Sequence, residues 1–361
     1  MNSTLIIYIY WIYFSVILLF YKGIKDYSFS FFLLILSSFV LLSTYQGLHS
    51  DWVSYREFYS KATKLGMTYF EKGFDYLLYV ANKIGSFEIV PIFTLLTFIL
   101  LFIEIYKYTE ISKNQFFILL VSFYFSFLPL YFGALRQACS SNFIYICLFL
   151  YRRKKYVRSG ISALLSFLFH HSAILIFAII FTYFIYCLLL RKKSKKKFIF
   201  YTLLVVVGMY LVFKVTVESL FVALDMVYRL GNADNFTSNP IKDLFILAER
   251  FVFIYFCFYL MQRKRNFNDF IINLSLGGNF FYCIFYSLAR NLSGRTLAFF
   301  RYLDIYIMYE ALITLVPKIL YLTNKKSVSS DNRNISNISL LLCIFYSLIK
   351  YYVTVASSGV F

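Results

Sequence analysis

The sequence predicts an all-α protein, a polytopic transmembrane helical bundle of about 12 membrane segments. Of its 361 residues, 61% are apolar and 15% are charged, whereas soluble globular domains contain roughly 45–50% apolar residues. A soluble fold of this length could not bury so much apolar surface, because a large part of such a chain stays in contact with water. Apolar runs of about 20 residues, the length of a membrane-spanning helix, also recur along the chain. The composition therefore excludes a cytosolic enzyme, a secreted disulfide scaffold and a disordered chain.

Ten apolar runs each predict one span. They lie at about 4–21, 28–46, 88–106, 115–131, 137–151, 198–217, 242–261, 269–288, 297–317 and 338–356. The region 159–190 is longer than one span, and the basic clusters on either side of it, 152–158 and 191–197, decide how it is divided. Cytoplasmic loops are enriched in Lys and Arg, and two short helices at about 159–170 and 173–190 place both clusters in the cytoplasm. The chain is thus expected to form a single integral membrane domain over 1–361, with this short helical hairpin and both termini outside.

The net charge of +19 is explained by this topology. Most Lys and Arg residues fall in short loops predicted to face the cytoplasm, as the positive-inside rule requires, so no nucleic-acid partner is expected. None of the six cysteines forms a CxxC pair, so we expect neither a metal site nor a disulfide framework. The sequence contains no P-loop or GxGxxG motif, and no cofactor is expected.

The topology leaves two long outer loops, at about 47–87 and 218–241. The first opens with Asp51 and Trp52 and continues through Tyr55 to Glu71. Its second half predicts an amphipathic helix along the membrane surface, because apolar residues recur there at helical spacing: Leu77, Leu78, Val80, Ala81 and Ile84. Alternatively, the carboxylates are ordinary solvated groups and the aromatic residues are interfacial anchors.

Polar residues also interrupt the apolar sequence at two predicted outer junctions. Arg136-Gln137 stands between two spans, and His170-His171-Ser172 forms the turn of the short hairpin. An arginine at membrane depth is costly and usually faces a bundle interior or a watery cavity, although one at a helix end can also reach the interface. A membrane histidine can likewise serve as an interhelical hydrogen-bonding group without a catalytic role.

A third outer junction contains Arg295, with Arg301 in the span that follows. Asp304 is three residues after Arg301 and could pair with it within a helix. Arg229 and Arg250 are further basic residues predicted near the outer side, without a recognisable context.

These arginines, carboxylates and a histidine are expected at the outer end of an apolar bundle. The planar guanidinium group binds phosphate bidentately, so this arrangement suits a lipid-linked phosphate or diphosphate. The excess of aromatic residues suits sugars, since aromatic faces stack on apolar surfaces while polar edges form hydrogen bonds. A proton-coupled transporter would instead place its charges near the midplane of symmetry-related halves, which the sequence does not show.

Five short motifs between about residues 40 and 310 contain most of these residues. They read Asp51-x-x-x-Tyr55-x-x-x-Tyr59, Phe70-Glu71-x-Gly73-Phe74, Leu135-Arg136-Gln137, His170-x-Ser172-Ala173, and Gly294-Arg295 followed by Phe299-Phe300. In order and spacing they resemble the motifs of the EpsG-like, Wzy-type polysaccharide polymerases of bacterial O-antigen, capsule and exopolysaccharide pathways.

The resemblance implies a metal-independent glycosyltransferase of the bacterial inner (plasma) membrane, with its active site on the outer, periplasmic face. Such an enzyme transfers a growing glycan from one undecaprenyl diphosphate to a repeat unit carried by another. The implied partners are the undecaprenyl-diphosphate-linked donor and acceptor oligosaccharides, membrane lipids and a chain-length-regulating co-polymerase.

The chemistry of this transfer assigns candidate roles. A departing diphosphate needs fixed positive charge, for which Arg136, Arg295 and Arg301 are the candidates. An acceptor hydroxyl needs a general base, and the candidates are His170 and Asp51, with His170 favoured because an imidazole titrates near neutral pH. The residues expected to contact the rest of the substrates are Tyr55, Glu71, Gln137 and Ser172.

Three other functions remain open at the level of sequence. An O-antigen ligase shares the donor and the arginines but transfers the glycan to a lipid A core. A lipid-linked oligosaccharide flippase needs cationic groups along a path through the bundle. A membrane O-acyltransferase needs access for an acyl donor.

Overall fold

The computed structural model of the chain describes residues 50–64, 69–107, 122–123, 130–131, 134–171, 173, 240–261, 267–286, 299–324 and parts of 338–349. The regular structure in these ranges is helical and contains no strand, in agreement with the predicted all-α class. The chain divides into two compact units, one formed by Met1–Ala173 with Ser336–Phe361 and the other by Ile174–Ile335.

Two of the described helices have the length and composition of membrane spans. They are Ile89–Tyr106 and the Leu244–Met261 part of a longer helix, close to the predicted spans 88–106 and 242–261. The helix Tyr156–Phe169 is apolar but shorter. The total of twelve spans stays a prediction, because many of the predicted segments lie outside the described residues.

Five helices of the first unit are described. They are α1 (Ser50–Lys61), α2 (Lys72–Ile84), α3 (Ile89–Tyr106), α4 (Leu135–Arg152) and α5 (Tyr156–Phe169). Helix α4 lies between α3 and α5, and α2 contacts α1, α3 and α5. All side chains of α4 from 137 to 150 are buried, so α4 is the central helix of the described part of this unit.

Small and polar side chains fasten α4 to its neighbours. The Ser140 hydroxyl donates a hydrogen bond of 2.9 Å to the carbonyl of Ser166 on α5. The Asn142 amide donates one of 2.9 Å to the hydroxyl of Thr97 on α3. Small residues let helix backbones approach closely and polar ones join them where water is excluded, which explains why this buried helix is less apolar than a lipid-facing span.

The predicted first outer loop contains two helices, α1 and α2. The predicted amphipathic helix corresponds to α2, but its apolar residues Leu77, Leu78 and Ala81 are buried within the unit. This face packs against protein because α1, α3 and α5 all contact α2. Only the end of the apolar series, Ile84, is largely exposed. Gly85 then ends the helix in the left-handed conformation (φ = 83°), which glycine adopts without a steric penalty.

Helix α5 forms the first half of the predicted hairpin. It begins at Tyr156, three residues before the predicted start, and ends at Phe169, so that His170 and His171 follow it in a turn. Its 14 residues extend about 21 Å at 1.5 Å per residue, less than the roughly 30 Å hydrocarbon core of a bilayer. The second predicted helix, 173–190, lies almost entirely outside the described residues.

Three helices of the second unit are described. They are α6 (Pro240–Met261), α7 (Phe267–Tyr286) and α8 (Asp304–Asn324), and each of them contacts the other two. The predicted span 297–317 differs from the structure, because a 3₁₀ turn at Arg301–Leu303 precedes α8. Asp304 is the first residue of α8, where the helix dipole favours a negative charge.

A buried polar cluster joins these three helices around Arg250, whose side chain is fully buried. Its Nη1 donates hydrogen bonds to Asp304 Oδ2 (2.8 Å) and Asn279 Oδ1 (3.0 Å), and its Nη2 lies 2.8 Å from Glu249 Oε2. Asp304, which the sequence offers as a partner for Arg301, thus pairs with an arginine 54 residues away. These buried charges require such pairing, because burying an isolated ion costs on the order of several kcal/mol of folding free energy.

Gly278 lets the 299–300 segment pack directly on α7. A Cβ atom at this position would fall well inside van der Waals contact with the ring of Phe300, whereas one at Gly277 would meet nothing within 4 Å. Replacing Gly278 by Ala is expected to destabilise the protein by about 1–3 kcal/mol through overpacking. Gly277→Ala is the matched control and should be neutral or stabilising, by up to about 1 kcal/mol, because Ala favours helix.

The two variants are compared by the thermal unfolding midpoint of the detergent-solubilised protein. Equal midpoints for Gly278→Ala and Gly277→Ala would show that Phe300 does not pack on α7 in this way.

Candidate functional site

The first unit brings together three of the predicted site residues, Glu71, Arg136 and His170. Glu71 Oε2 accepts a hydrogen bond of 2.5 Å from Arg136 Nη1. Glu71 Oε1 lies 3.8 Å from His170 Nδ1 and accepts a long hydrogen bond of 3.4 Å from the backbone N–H of His171. The side chains of Glu71, His170 and Arg136 are 4%, 6% and 13% exposed. One carboxylate therefore connects the start of α4 with the turn after α5.

Local helix geometry places both members of the ion pair. Glu71 immediately precedes α2, and its carbonyl accepts the N–H groups of Phe74 and Asp75. Arg136 lies in the first turn of α4. The dipole of a helix favours a negative charge near its N-terminus and disfavours a positive one. The arginine is thus in an unfavourable position that the adjacent carboxylate offsets.

Gly73 allows this arrangement by close packing. A Cβ atom on Gly73 would lie 2.8 Å from the carbonyl oxygen of Leu168 and 3.0 Å from its carbonyl carbon. These are backbone atoms of α5, which cannot rotate aside. The first turn of α2 therefore packs against the last turn of α5, and Glu71 reaches the two histidines that follow α5. The glycine in the Phe70-Glu71-x-Gly73-Phe74 motif is the sequence signal for this contact.

Aromatic rings surround the Arg136 guanidinium group. Its Cζ lies 4.4 Å from the centroid of the Phe70 ring and 5.8 Å from that of Tyr55, within the range of cation–π attraction. Arg136 Nε donates a long hydrogen bond of 3.5 Å to the Tyr55 hydroxyl. Within the described part of the chain, no hydrogen bond involves Nη2. The guanidinium group is thus held on two sides and keeps one donor group for a ligand.

Asp75 shapes the turn that carries Phe70, a role that motif spacing does not reveal. Its carboxylate accepts the backbone N–H groups of Phe70 (3.0 Å) and Tyr69 (3.2 Å). These bonds fold the preceding turn back onto α2 and place the Phe70 ring beside Arg136. Burial raises the pKa of the buried Asp75 carboxyl above its ordinary value, although the two backbone bonds oppose this shift.

The electrostatics of the site keep Glu71 ionised. Burial raises the pKa of its carboxyl, but attraction to the His170 ring in its protonated form and to Arg136, together with the Arg136 hydrogen bond, outweighs burial and lowers the pKa to about 2. Burial raises the pKa of Tyr55 to about 12, with Arg136 opposing. The site thus combines a permanent carboxylate with a neutral phenol.

The other predicted site residues lie at varying distances from this group. Asp51 is on α1, one turn before Tyr55, and its charge contributes to the raised pKa of that phenol. Gln137 follows Arg136 in α4 and is buried. Arg301 begins the 3₁₀ turn of the second unit. Ser172 and Arg295 lie outside the described residues.

Sequence reasoning named Arg250 without assigning it a partner and offered Asp304 to Arg301, whereas Asp304 pairs with Arg250. The signal was an arginine within an apolar helix, which in a membrane protein calls for a partner. No group of three or more His, Cys, Asp or Glu residues suited to hold a metal occurs in the described ranges.

The lowered pKa of Glu71 predicts how stability depends on pH. A carboxyl with a folded-state pKa of about 2, against an ordinary value of 4.5, stabilises the fold above about pH 4.5. This contribution, on the order of 3 kcal/mol, is lost as the pH falls from 4.5 towards 2. Wild type should therefore be more stable than Glu71→Gln at neutral pH, and the difference should disappear over this acid range.

Thermal unfolding midpoints of wild type, Glu71→Gln and Glu57→Gln between pH 2 and 7 test this expectation. Glu57 pairs with Lys61 on the exposed side of α1 and serves as the control, since exposed ion pairs contribute little. A wild-type advantage over Glu71→Gln that persists unchanged to the lowest pH would contradict the ionised buried pair.

Comparison with known proteins identifies the family. The model of the EpsG family matches residues 28–361, a range that contains all the site residues described above. This family comprises Wzy-like polysaccharide polymerases and exopolysaccharide biosynthesis proteins, so the resemblance noted in the five motifs is confirmed. No curated protein and no solved structure matches the chain. The chain belongs to the EpsG family and is an integral membrane protein of polysaccharide biosynthesis, with a polymerase-type function.

Proposed function

We propose that the protein polymerises lipid-linked polysaccharide repeat units at the outer face of the bacterial inner membrane. It transfers the growing glycan from undecaprenyl diphosphate to an incoming repeat unit that is itself linked to undecaprenyl diphosphate. The observation that carries this proposal is the Arg136 guanidinium group, oriented by Glu71, Tyr55 and Phe70 close to His170. The site thus offers a cation for a leaving group beside a base for an attacking group.

Arg136 serves the leaving diphosphate. During transfer the bond between the anomeric carbon and the diphosphate oxygen breaks, and its electron pair stays on that oxygen. A fixed cation lowers the energy of this developing charge without reorganising at the moment of reaction. Contacts with Glu71 and two aromatic rings already orient the guanidinium group, while Nη2 faces no hydrogen-bond partner among the described residues.

His170 or Asp51 serves the acceptor. The acceptor hydroxyl oxygen forms the new bond to the anomeric carbon and passes its proton to a general base. His170 is the favoured base, because it lies beside the Glu71–Arg136 pair and because imidazole accepts protons near neutral pH. Asp51, one turn from Tyr55, is the second candidate.

Two further arginines bind a substrate diphosphate in this proposal. Arg295 and Arg301 bind the diphosphate of a substrate, and Arg301 begins the turn that leads into α8. The Arg250–Asp304 ion pair fixes the start of α8 and so limits the movement of that turn. Tyr55, Gln137 and Ser172 contact the sugars, and a chain-length-regulating co-polymerase is the expected protein partner.

A strain that lacks the gene separates this function from ligation and flipping. Loss of a polymerase leaves single repeat units attached at the cell surface, whereas loss of a ligase or flippase removes surface polysaccharide altogether. We expect single capped repeats on a surface polysaccharide gel, and long chains after complementation with wild type. Absence of all surface polysaccharide from the deletion strain would contradict polymerisation.

In the same strain, Arg136→Ala and Arg136→Lys should both fail to restore long chains. Lysine keeps the charge but loses the planar fork, and loss of such a contact costs roughly a hundredfold in rate. Arg153→Lys is the matched control, because Arg153 forms an ion pair with Glu104 at the other end of α4. Normal chain length in either Arg136 variant, at wild-type protein levels, would exclude the proposed role.

Polymerisation by purified protein with lipid-linked repeat units distinguishes the two candidate bases. His170→Gln is expected to lose turnover by about a hundredfold or more and to retain binding of the donor lipid. Asp51→Asn is expected to retain more activity. An active histidine variant together with an inactive aspartate variant would assign the base to Asp51.

A further inference from the structure

We infer that Glu71 is a positioning residue that fixes the ring tautomer of His170, with the proton on Nδ1 and Nε2 left to accept a proton from the acceptor hydroxyl. This inference rests on the proposed polymerase function and adds to it a residue that links the phosphate-binding cation to the base. The inference rests on the geometry of the Glu71 carboxylate, in which Oε2 faces Arg136 and Oε1 faces His170.

The Glu71 carboxylate is not used as a bidentate partner of Arg136. Arg136 Nη1 bonds Oε2, while Nε is directed to the Tyr55 hydroxyl. A fork-to-fork pair would take two guanidinium nitrogens and both carboxylate oxygens. Because Tyr55 takes Nε, the second oxygen of Glu71 remains for another partner.

That second oxygen, Oε1, faces the turn after α5. It lies 3.8 Å from His170 Nδ1 and 3.4 Å from the backbone nitrogen of His171. An ionised carboxylate only accepts hydrogen bonds, so the nitrogen that faces it carries the proton. A neutral imidazole has a single N–H group, and Nε2 is then unprotonated and able to act as a base.

The geometry also separates the two adjacent histidines. The His171 ring lies against Phe167 of α5, with centroids 5.1 Å apart, and only its backbone N–H reaches Glu71. His170, in contrast, directs a ring nitrogen towards the carboxylate. The structure therefore assigns the base to the first histidine of the pair.

Close helix packing maintains this contact. Gly73 holds the first turn of α2 against the Leu168 backbone. Gly73 is two residues from Glu71, and Leu168 is two residues from His170. Catalytic hydrogen bonds are often long in unliganded enzymes and shorten when substrate binds. A separation of 3.8 Å between Oε1 and Nδ1 is thus within reach of a direct bond after a small movement.

A substitution of Glu71 by Gln reverses the hydrogen-bonding pattern. Arg136 donates only, so the amide oxygen must face Arg136, and the amide NH₂ group then faces His170. Nδ1 becomes the acceptor and Nε2 carries the proton, which removes the base. A wrong tautomer of this kind lowers kcat by about 10⁴-fold in a serine protease whose orienting Asp is replaced by Asn.

Nitrogen NMR of ¹⁵N-histidine-labelled protein measures the tautomer directly. The chain has three histidines, so a His49→Gln/His171→Gln background leaves the signal of His170 alone. At a pH where the ring is neutral, we expect the protonated-nitrogen signal on Nδ1 in this background. Adding Glu71→Gln should move it to Nε2, and adding Glu57→Gln, the matched carboxylate-to-amide control on α1, should leave it on Nδ1.

The same variants are assayed for polymerisation without the histidine substitutions. Glu71→Gln should lower kcat by about a hundredfold or more, and Glu71→Asp, which keeps both oxygens, should restore part of the loss. A proton on Nε2 in the His49→Gln/His171→Gln background, with Glu71 in place, would overturn the inference without reference to the folding of any Glu71 variant. An unchanged tautomer in Glu71→Gln would overturn it as well.

These results separate the positioning role from the proposed function. The tautomer is observed whether or not the protein polymerises. Wild type with the expected tautomer but no polymerisation contradicts the proposed function alone, whereas an active wild type with Nε2 protonated contradicts only the role of Glu71.

Discussion

The described part of the first unit depends on a buried carboxylate that must be paired. Glu71 lies among α2, α4 and the turn after α5, where an unpaired charge would cost on the order of several kcal/mol of folding free energy. Its pairing with Arg136 and its proximity to His170 require α2 to approach α5 closely, which only glycine at position 73 permits. Helix packing and site chemistry therefore have the same physical origin, and neither can change without the other.

The second unit also contains a buried charge that must be paired, but there the charged group is completely enclosed. Arg250 is enclosed by Glu249, Asn279 and Asp304 and has no exposed surface, whereas Arg136 is 13% exposed and stacks on an aromatic ring. A fully enclosed ion pair joins helices but offers nothing to a ligand. A partly open guanidinium group retains a donor for an anion, which makes Arg136 the more suitable of the two for substrate.

Several elements could be predicted because their cause is local. The apolar run at 88–106 corresponds to α3, and the helix predicted at about 159–170 corresponds to α5 (Tyr156–Phe169). The apolar spacing in 77–84 predicted α2, but not its neighbours, because spacing gives the apolar face of a helix without showing whether lipid or protein covers it. The 3₁₀ turn before Asp304 was missed, and so was the pairing of Asp304 with Arg250 of α6, a contact between residues far apart in the sequence.

The sequence alone determined the all-helical class, the apolar spans near 88–106 and 242–261, and the motif residues Glu71, Arg136 and His170. Composition and periodicity suffice for the helical class and the spans, because these reflect local requirements of a helix or of burial, whereas the three motif residues were found as polar residues in or beside apolar segments and through the family resemblance. Only the tertiary structure decided the pairing of the charges. Glu71 binds an arginine 65 residues away, and Arg250 binds an aspartate 54 residues away. Coulomb attraction in a water-poor interior depends on the distance between charges in space. Helix packing sets that distance, and the order of residues in the chain does not.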